Sequence, residues 1–208
     1  MQNDLMLLLI EGTAHTIDSH AEELTRLDQA IGDGDHGINM ARGFKEILAQ
    51  KEAIAALPLD EGLKRLGMAL VMKVGGASGP LYGTLFIEMG KAAPADPPSL
   101  VDLSAMLDAG VAGVKARGKA EPGMKTMLDV LCPVADTLRD RANNGEIDRL
   151  DERIIATAGH ALHATSLMEA KRGRASFLGP RSVGHIDPGA CSSALLIGAV
   201  VGVLAPQS

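Results

Sequence analysis

The sequence predicts an all-α protein, an up-and-down bundle of eight antiparallel helices with its unusual chemistry gathered at one end. Apolar residues recur at helical spacing along nearly the whole chain, and strand-like alternation is rare. Apolar residues make up 46% of the chain but aromatics only 2%, with no Trp, one Tyr and three Phe, so the core must come from Leu, Ile, Val, Met and Ala. Aliphatic side chains of this kind, without aromatic bulk, favour close packing of helix on helix.

The first helix is expected over residues 3–25, with Leu5, Leu8, Leu9, Ala14 and Ile17 toward the core. The second starts near His36 and stops before Pro58, with Ile38, Ala41, Phe44 and Leu48 as its stripe. The third covers 59–73 through Leu63, Leu66, Leu70 and Val71. The fourth starts at Gly79 or Pro80, where a proline in the first turn loses nothing by lacking an N–H. It reaches Ala93, and the stretch 94–98 breaks the pattern. The fifth spans 100–116 behind Ser99 as its cap. The sixth spans 126–143 and is ended by Asn143, Asn144 and Gly145. The seventh runs over 148–171, and the eighth begins at Pro188 or Gly189.

Eight helices have seven connections. Those at 27–37, 74–79, 117–125 and 173–189 are rich in glycine and polar groups, and they are the first, third, fifth and seventh. Odd-numbered connections of an up-and-down bundle share one end, so these four loops should meet there.

Size and charge narrow the function. A chain of 208 residues suits a single domain, 1–208. A net charge of −6 gives no basic footprint for nucleic acid. Cys132 and Cys191 lack metal-type spacing and suit a reducing compartment. Met1 to Leu9 has no positive leader and reads as helix, not signal peptide. The uncharged run 190–205 is shorter than the roughly 20 residues a spanning helix needs, so it reads as a buried core helix. The expected location is the cytoplasm, without a membrane partner.

The most informative segment is Leu27-Asp28-Gln29-Ala30-Ile31-Gly32-Asp33-Gly34-Asp35-His36-Gly37. One aspartate here would be a helix cap. Asp28, Asp33 and Asp35 together, folded inward by three glycines, offer hard oxygen ligands of like charge that need a cation. Magnesium, its shell completed by phosphate oxygens, is the natural candidate. The helix that follows presents N–H groups to the same anion. An EF-hand does not fit, because the twelfth position counted from Asp33 is Phe44 and not Glu.

The other loops are less specific. Gly75-Gly76-Ala77-Ser78-Gly79-Pro80 lets backbone approach a phosphate or a base, as a plain turn also would. Gly113 to Lys119 mimics a P-loop but has Ala120 where Ser or Thr binds magnesium, and no strand precedes it. Lys171 is expected to answer a helix dipole, while Arg174 lies in the loop and can meet phosphate. Asp187 can cap the last helix before Pro188. Cys191 reads as a packed thiol.

Taken together the loops resemble the L subunit of dihydroxyacetone kinases. The likeness adds Leu81-Tyr82-Gly83, Arg117-Gly118-Lys119-Ala120-Glu121-Pro122-Gly123, Lys125-Thr126-Met127-Leu128-Asp129, Lys171-Arg172-Gly173-Arg174-Ala175-Ser176 and Gly184-His185-Ile186-Asp187-Pro188-Gly189. It covers the whole chain in order. It implies a closed barrel of eight helices with nucleotide in the loops at one end. It implies magnesium ligands at Asp28, Asp33 and Asp35, and nucleotide contacts from His36, Gly37, Ile38, Asn39, Ala77, Ser78, Gly118, Met127, Arg174, Asp187, Pro188 and Gly189. Arg174 would also serve catalysis by offsetting charge on the transferring group.

The resemblance further implies Mg2+ and ADP or ATP as cofactors and a separate K subunit that holds dihydroxyacetone. His36 and Gly184-His185 look like the members in which ADP stays bound and is rephosphorylated by a phosphotransferase-system protein. Pro180 departs from the Glu common at that position. Three alternatives stay open: an ATP-dependent kinase subunit for dihydroxyacetone or another short ketose such as erythrulose, a nucleotide-binding regulatory module, and a metal-stabilised bundle without nucleotide. Assembly as a homodimer is also left open.

Overall fold

The computed structural model describes residues 2–145 and 147–205, the side chain of Gln2 excepted; Met1, at the head of the stretch read as helical, lies outside them. The described residues form ten α-helices: α1 (Gln2–Ser19), α2 (Ala21–Ile31), α3 (His36–Ala49), α4 (Lys51–Ala55), α5 (Leu59–Lys73), α6 (Ser78–Ala92), α7 (Leu100–Gly118), α8 (Leu128–Asn144), α9 (Leu150–Ala164) and α10 (Pro188–Leu204). Two short 3₁₀ segments, Thr165–Leu167 and Arg174–Ser182, lie between α9 and α10.

Ten helices make eight rods. α1 and α2 form the first, interrupted at His20, and α3 and α4 form the second, interrupted at Gln50. Each rod packs on the next in chain order, and α10 returns to pack on α1, which closes the ring. The protein is thus an all-α helical barrel. Where α5 and α6 pair, the backbones nearly touch: a Cβ on Gly67 would stand 2.6 Å from the Gly83 carbonyl, and one on Gly83 would stand 2.7 Å from the Gly67 carbonyl.

Ile10, Ile17, Leu24, Met40, Phe44, Ile47, Leu70, Leu85, Leu128 and Leu196 fill the core, with Tyr82 among the few aromatics there. Burial of a large aliphatic side chain contributes about 1.5–3 kcal/mol, so a core without aromatic bulk must enlist every rod. The Ser99 cap is present as a reciprocal pair with Asp102, and Gly145 ends α8 in the left-handed conformation.

Several expected boundaries and faces move. The first rod extends to Ile31, so Asp28 sits on the last turn of a helix and not in a loop. α9 stops at Ala164 instead of residue 171, so Lys171 meets no helix dipole and pairs with Glu169 at 2.8 Å. On α3 the buried stripe is Met40, Phe44 and Ile47, while Ile38 and Leu48 face solvent. The cause is Gly37, which packs against the Ala21 carbonyl and Thr25 and so sets the rotation of α3 on α2. Leu5, Leu8 and Val71 also lie exposed, and Ile10 takes the core position instead. α10 is buried only over its first half. No helix among the described residues is long and apolar enough to cross a membrane.

Candidate functional site

A cavity of about 390 Å³ opens at one end of the barrel, and all four glycine-rich connections line it. That volume is in the range of small-molecule sites. One part of the wall is acidic (Asp28, Asp33, Asp35), three arginines (Arg117, Arg172, Arg174) stand on it, and Ile31, Leu81, Val114, Met127 and Leu128 supply apolar surface.

Asp28, Asp33 and Asp35 each offer a carboxylate oxygen, and these atoms lie within 4.8 Å of one another. Their elements explain the convergence. Asp28 projects from the end of α2, the glycine-containing turn 32–34 reverses the chain, and Asp35 immediately precedes α3. Gly34 adopts a φ of 76°, a left-handed value that favours glycine. Gly32 is required for space, because a Cβ there would lie 2.0 Å from Asp28 Oδ1.

The N-terminus of α3 is capped by Asp28 and not by Asp35. Asp28 Oδ2 accepts hydrogen bonds from the backbone N–H of Asp35 (2.9 Å) and of His36 (3.1 Å). This anchors one oxygen of the buried Asp28 carboxylate and leaves Oδ1 for an ion. The three oxygens are hard, clustered and mutually repelling, which fits a small divalent cation such as Mg2+. Arg174 pairs with Asp33 at 3.0 Å, its side chain largely exposed, which brings the guanidinium to the carboxylate cluster.

Of the nucleotide contacts that the resemblance implies, the structure brings His36, Ala77, Ser78, Gly118, Met127, Arg174, Asp187, Pro188 and Gly189 to the cavity wall. Gly37, Ile38 and Asn39 are not on that wall. Gly37 is pressed on α2, Ile38 is exposed, and the Asn39 N–H donates to the Asp35 carbonyl. The run 113–118 is helical within α7, which removes the P-loop mimic.

His36 is buried, and both ring nitrogens are engaged. Nδ1 lies 3.0 Å from Ser78 Oγ and Nε2 lies 2.9 Å from Ser192 Oγ. Burial lowers its pKa, opposed by the charges of Asp28 and Asp35. Ser192 and Ser193 in turn contact the Tyr82 hydroxyl at 2.7 and 2.8 Å. Burial raises the pKa of Tyr82.

Lys125, also on the wall, is a buried lysine with left-handed backbone. Its ammonium donates to the carbonyls of Thr165 (2.7 Å), Met168 (3.2 Å) and His185 and so ties the loop before α8 to both ends of the connection between α9 and α10. Asp187 caps α10 by accepting from Ala190 N at 2.7 Å. Its carboxyl is pushed up to about 7 by burial, with Lys125 pulling the other way. Cys191 is a buried thiol raised to about 12 by burial, in line with a packing role.

Sequence reasoning assigned no role to Tyr82, Ser192, Ser193 or Lys125. One signal was available: two adjacent hydroxyls inside an uncharged apolar helix need partners, and the lone tyrosine supplies one. Nothing in the sequence marks Lys125 as buried.

Fold and site together define a helical-barrel protein with an acidic, arginine-flanked cavity at one end. The DAK2 domain matches residues 30–202, and the chain belongs to this family. It is 43% identical over 198 residues to the ADP-binding subunit DhaL of PEP-dependent dihydroxyacetone kinase 1 from Listeria innocua, covering 95% of each chain. It is 47% identical over 176 residues to the corresponding Escherichia coli subunit, covering 84% of each. Among solved structures, the native dihydroxyacetone kinase of C. freundii superposes with a TM-score of 0.77 at 25% identity, over 97% of this chain and 35% of that one. The chain therefore spans about a third of that kinase.

Proposed function

We propose that this chain is the nucleotide-binding, phosphoryl-transferring subunit of a dihydroxyacetone kinase. Its ADP would stay bound and be recharged by a phosphotransferase-system protein, and its phosphoryl group would pass to dihydroxyacetone held on a separate K subunit. The observation that carries this reading is the meeting of the Asp28, Asp33 and Asp35 oxygens within 4.8 Å on the wall of a cavity that also bears Ser78 and Arg174. The names of the relatives support it. Those at 40–47% identity are ADP-binding subunits of PEP- or PTS-dependent kinases, whereas human triokinase/FMN cyclase is 34% identical.

Phosphoryl transfer asks a protein for placement and charge neutralisation more than for a reactive side chain. Asp28, Asp33 and Asp35 would hold magnesium, which when bound would supply positive charge to offset that of the phosphates. Asp28 holds its carboxylate in place through its bonds to α3. Ser78 lies on the cavity wall, its hydroxyl 3.0 Å from His36 Nδ1. Arg174 would leave Asp33 for the transferring group, a short move for an exposed side chain. Gly118, Met127 and the Asp187–Gly189 turn, with Leu81 and Val114, would receive the base and sugar of the nucleotide. The chain carries no proposed site for the ketose, so it should be inactive alone.

Reconstitution tests this division of labour. The chain, a K subunit and the phosphoryl-donor protein are mixed with phosphoenolpyruvate and dihydroxyacetone, and the chain is left out in turn. Activity only in the complete mixture, with ADP found by mass spectrometry in the chain after gel filtration, is the expected result. Robust kinase activity from the chain alone, or ADP binding without transfer in the complete mixture, would reject it.

A further inference from the structure

We infer that Lys125 is a positioning residue and not a phosphate ligand: its ammonium closes the neck of the loop 166–184, and the closed neck places Arg174 at the carboxylate cluster. This role rests on the nucleotide reading proposed above and names the residue on which Arg174 depends.

A lysine on the wall of a cavity that would hold phosphates invites assignment as a phosphate contact. Lys125 has no proton for that. An ammonium carries three N–H donors, and Nζ meets three carbonyls, those of Thr165 (2.7 Å), Met168 (3.2 Å) and His185. Three acceptors around one nitrogen call for the charged form, and they use all three of its donors. The residue is 1% exposed. Its backbone is left-handed, with a φ of 61°, which is uncommon outside glycine. Asp129 braces that turn, because its carboxylate accepts from the N–H groups of Gly123 and Thr126 on either side of Lys125.

The three carbonyls stand on the two sides of a neck. Thr165 ends α9, Met168 follows the short 3₁₀ turn, and His185 lies two residues before Asp187, the cap of α10. Carbonyls at the end of a helix lack partners within it, and a cation there answers the dipole. The neck is closed twice more, by the Gly184 N–H on the Ser166 carbonyl (2.7 Å) and by the Ala170 N–H on Ser182 Oγ (2.8 Å). The Lys171 N–H on the Met124 carbonyl (3.0 Å) joins the loop to the segment that bears Lys125. The loop so gathered carries Arg172 and Arg174 onto the cavity wall. Beyond the neck it meets the barrel through Ala175, buried with Ile31, and through the pair of Arg174 with Asp33. The Arg174 side chain is largely exposed, so its place is set by the loop backbone more than by its own packing. A displacement of about 1 Å in a contact to a reacting group can cost about 100-fold in rate. Lys125 thus acts on turnover through Arg174, without touching phosphate.

Two variants of the full chain open the neck. Lys125→Met keeps the length of the side chain and removes its donors, and Ser182→Ala removes a closure that lies off the cavity wall. Each is compared with the parent by hydrogen exchange on nucleotide-free protein, by calorimetry with Mg2+ and ADP, and by turnover in the reconstituted system. Both variants should exchange the amides of 166–184 about tenfold faster or more, with α5 and α6 unchanged. ADP should bind within about threefold of the parent. Turnover should fall about 100-fold in Lys125→Met and less steeply in Ser182→Ala, and Lys125→Met joined to Arg174→Ala should be no slower than Arg174→Ala alone. Any one of three results overturns the role: ADP binding about tenfold weaker in Lys125→Met, unchanged exchange over 166–184, or losses of turnover that multiply in the double variant. If Lys125→Met does not fold, Ser182→Ala decides, and parental exchange and turnover in it overturn the role. A parent that binds no ADP overturns the nucleotide reading, and this role with it.

Discussion

Asp28 has two duties that substitution can separate. One oxygen accepts from two N–H groups at the start of α3, and the carboxylate also belongs to the three-aspartate cluster. Asp28→Asn keeps an oxygen for the cap but removes the charge. Asp28→Ala removes both. Loss of a side-chain cap costs about 1 kcal/mol, within a range of roughly 0.5–2. For a chain of this length 1 kcal/mol is a melting shift of roughly 2–4 °C. Charge works in the opposite direction without a cation: two like charges about 4 Å apart repel by about 1 kcal/mol in water, less with salt.

In EDTA at low salt, Asp28→Asn should therefore melt at or slightly above the parent, and Asp28→Ala should melt roughly 2–4 °C below Asp28→Asn. With Mg2+ and ADP the order changes. The parent gains stability from its ligand, and both variants lose most of that gain. Differential scanning calorimetry in the two buffers, with titration calorimetry for ADP, makes the comparison. If Asp28→Asn melted as low as Asp28→Ala in EDTA, the capping argument would fail. If it bound Mg2+ and ADP as the parent does, the metal site would be wrongly placed.

Three further outcomes are expected. Asp187 is held at about 7 in the fold against 3.8 as its ordinary value, so the folded state keeps a proton that the unfolded state releases between those values. Its contribution to stability is full below the lower value and gone above the upper one; Asp187→Asn, which retains an oxygen for Ala190, should gain on the parent as pH rises from 5 to 8, and urea melts in EDTA that show a constant difference would contradict this. Gly67→Ala places a methyl 2.6 Å from the Gly83 carbonyl and should destabilise by about 1–3 kcal/mol through overpacking, measured by urea melts; an unchanged midpoint would mean that α5 and α6 separate easily. Arg174→Ala should leave the melt nearly unchanged, because the side chain is largely exposed, yet lower turnover in the reconstituted system by about 100-fold; equal losses in stability and turnover would mark it as structural.

Much of the site was legible because local chemistry announces itself. Three aspartates among glycines imply a cation wherever the chain runs, and an even placement of four glycine-rich connections implies a shared end, which the cavity wall now displays. Gly37, Ile38 and Asn39, implied by resemblance, lie off the cavity wall, where Gly37 meets α2 closely. Which aspartate caps α3 was not legible either, for a related reason. Asp35 stands at the cap position, but Asp28, seven residues earlier, reaches the same N–H groups once α2 continues to Ile31.

The sequence by itself determined the helical class, the number of rods, the carboxylate cluster and the end at which it lies, since periodicity, glycine and charge act over a few residues. Only the tertiary structure decided that the ring closes through α10 on α1, that His36 and Tyr82 share one line of hydroxyls, and that Lys125 is buried beneath three carbonyls. His36 and Ser192 alone are 156 positions apart, and the register of packed helices that brings such groups within hydrogen-bond distance is a property of the whole core.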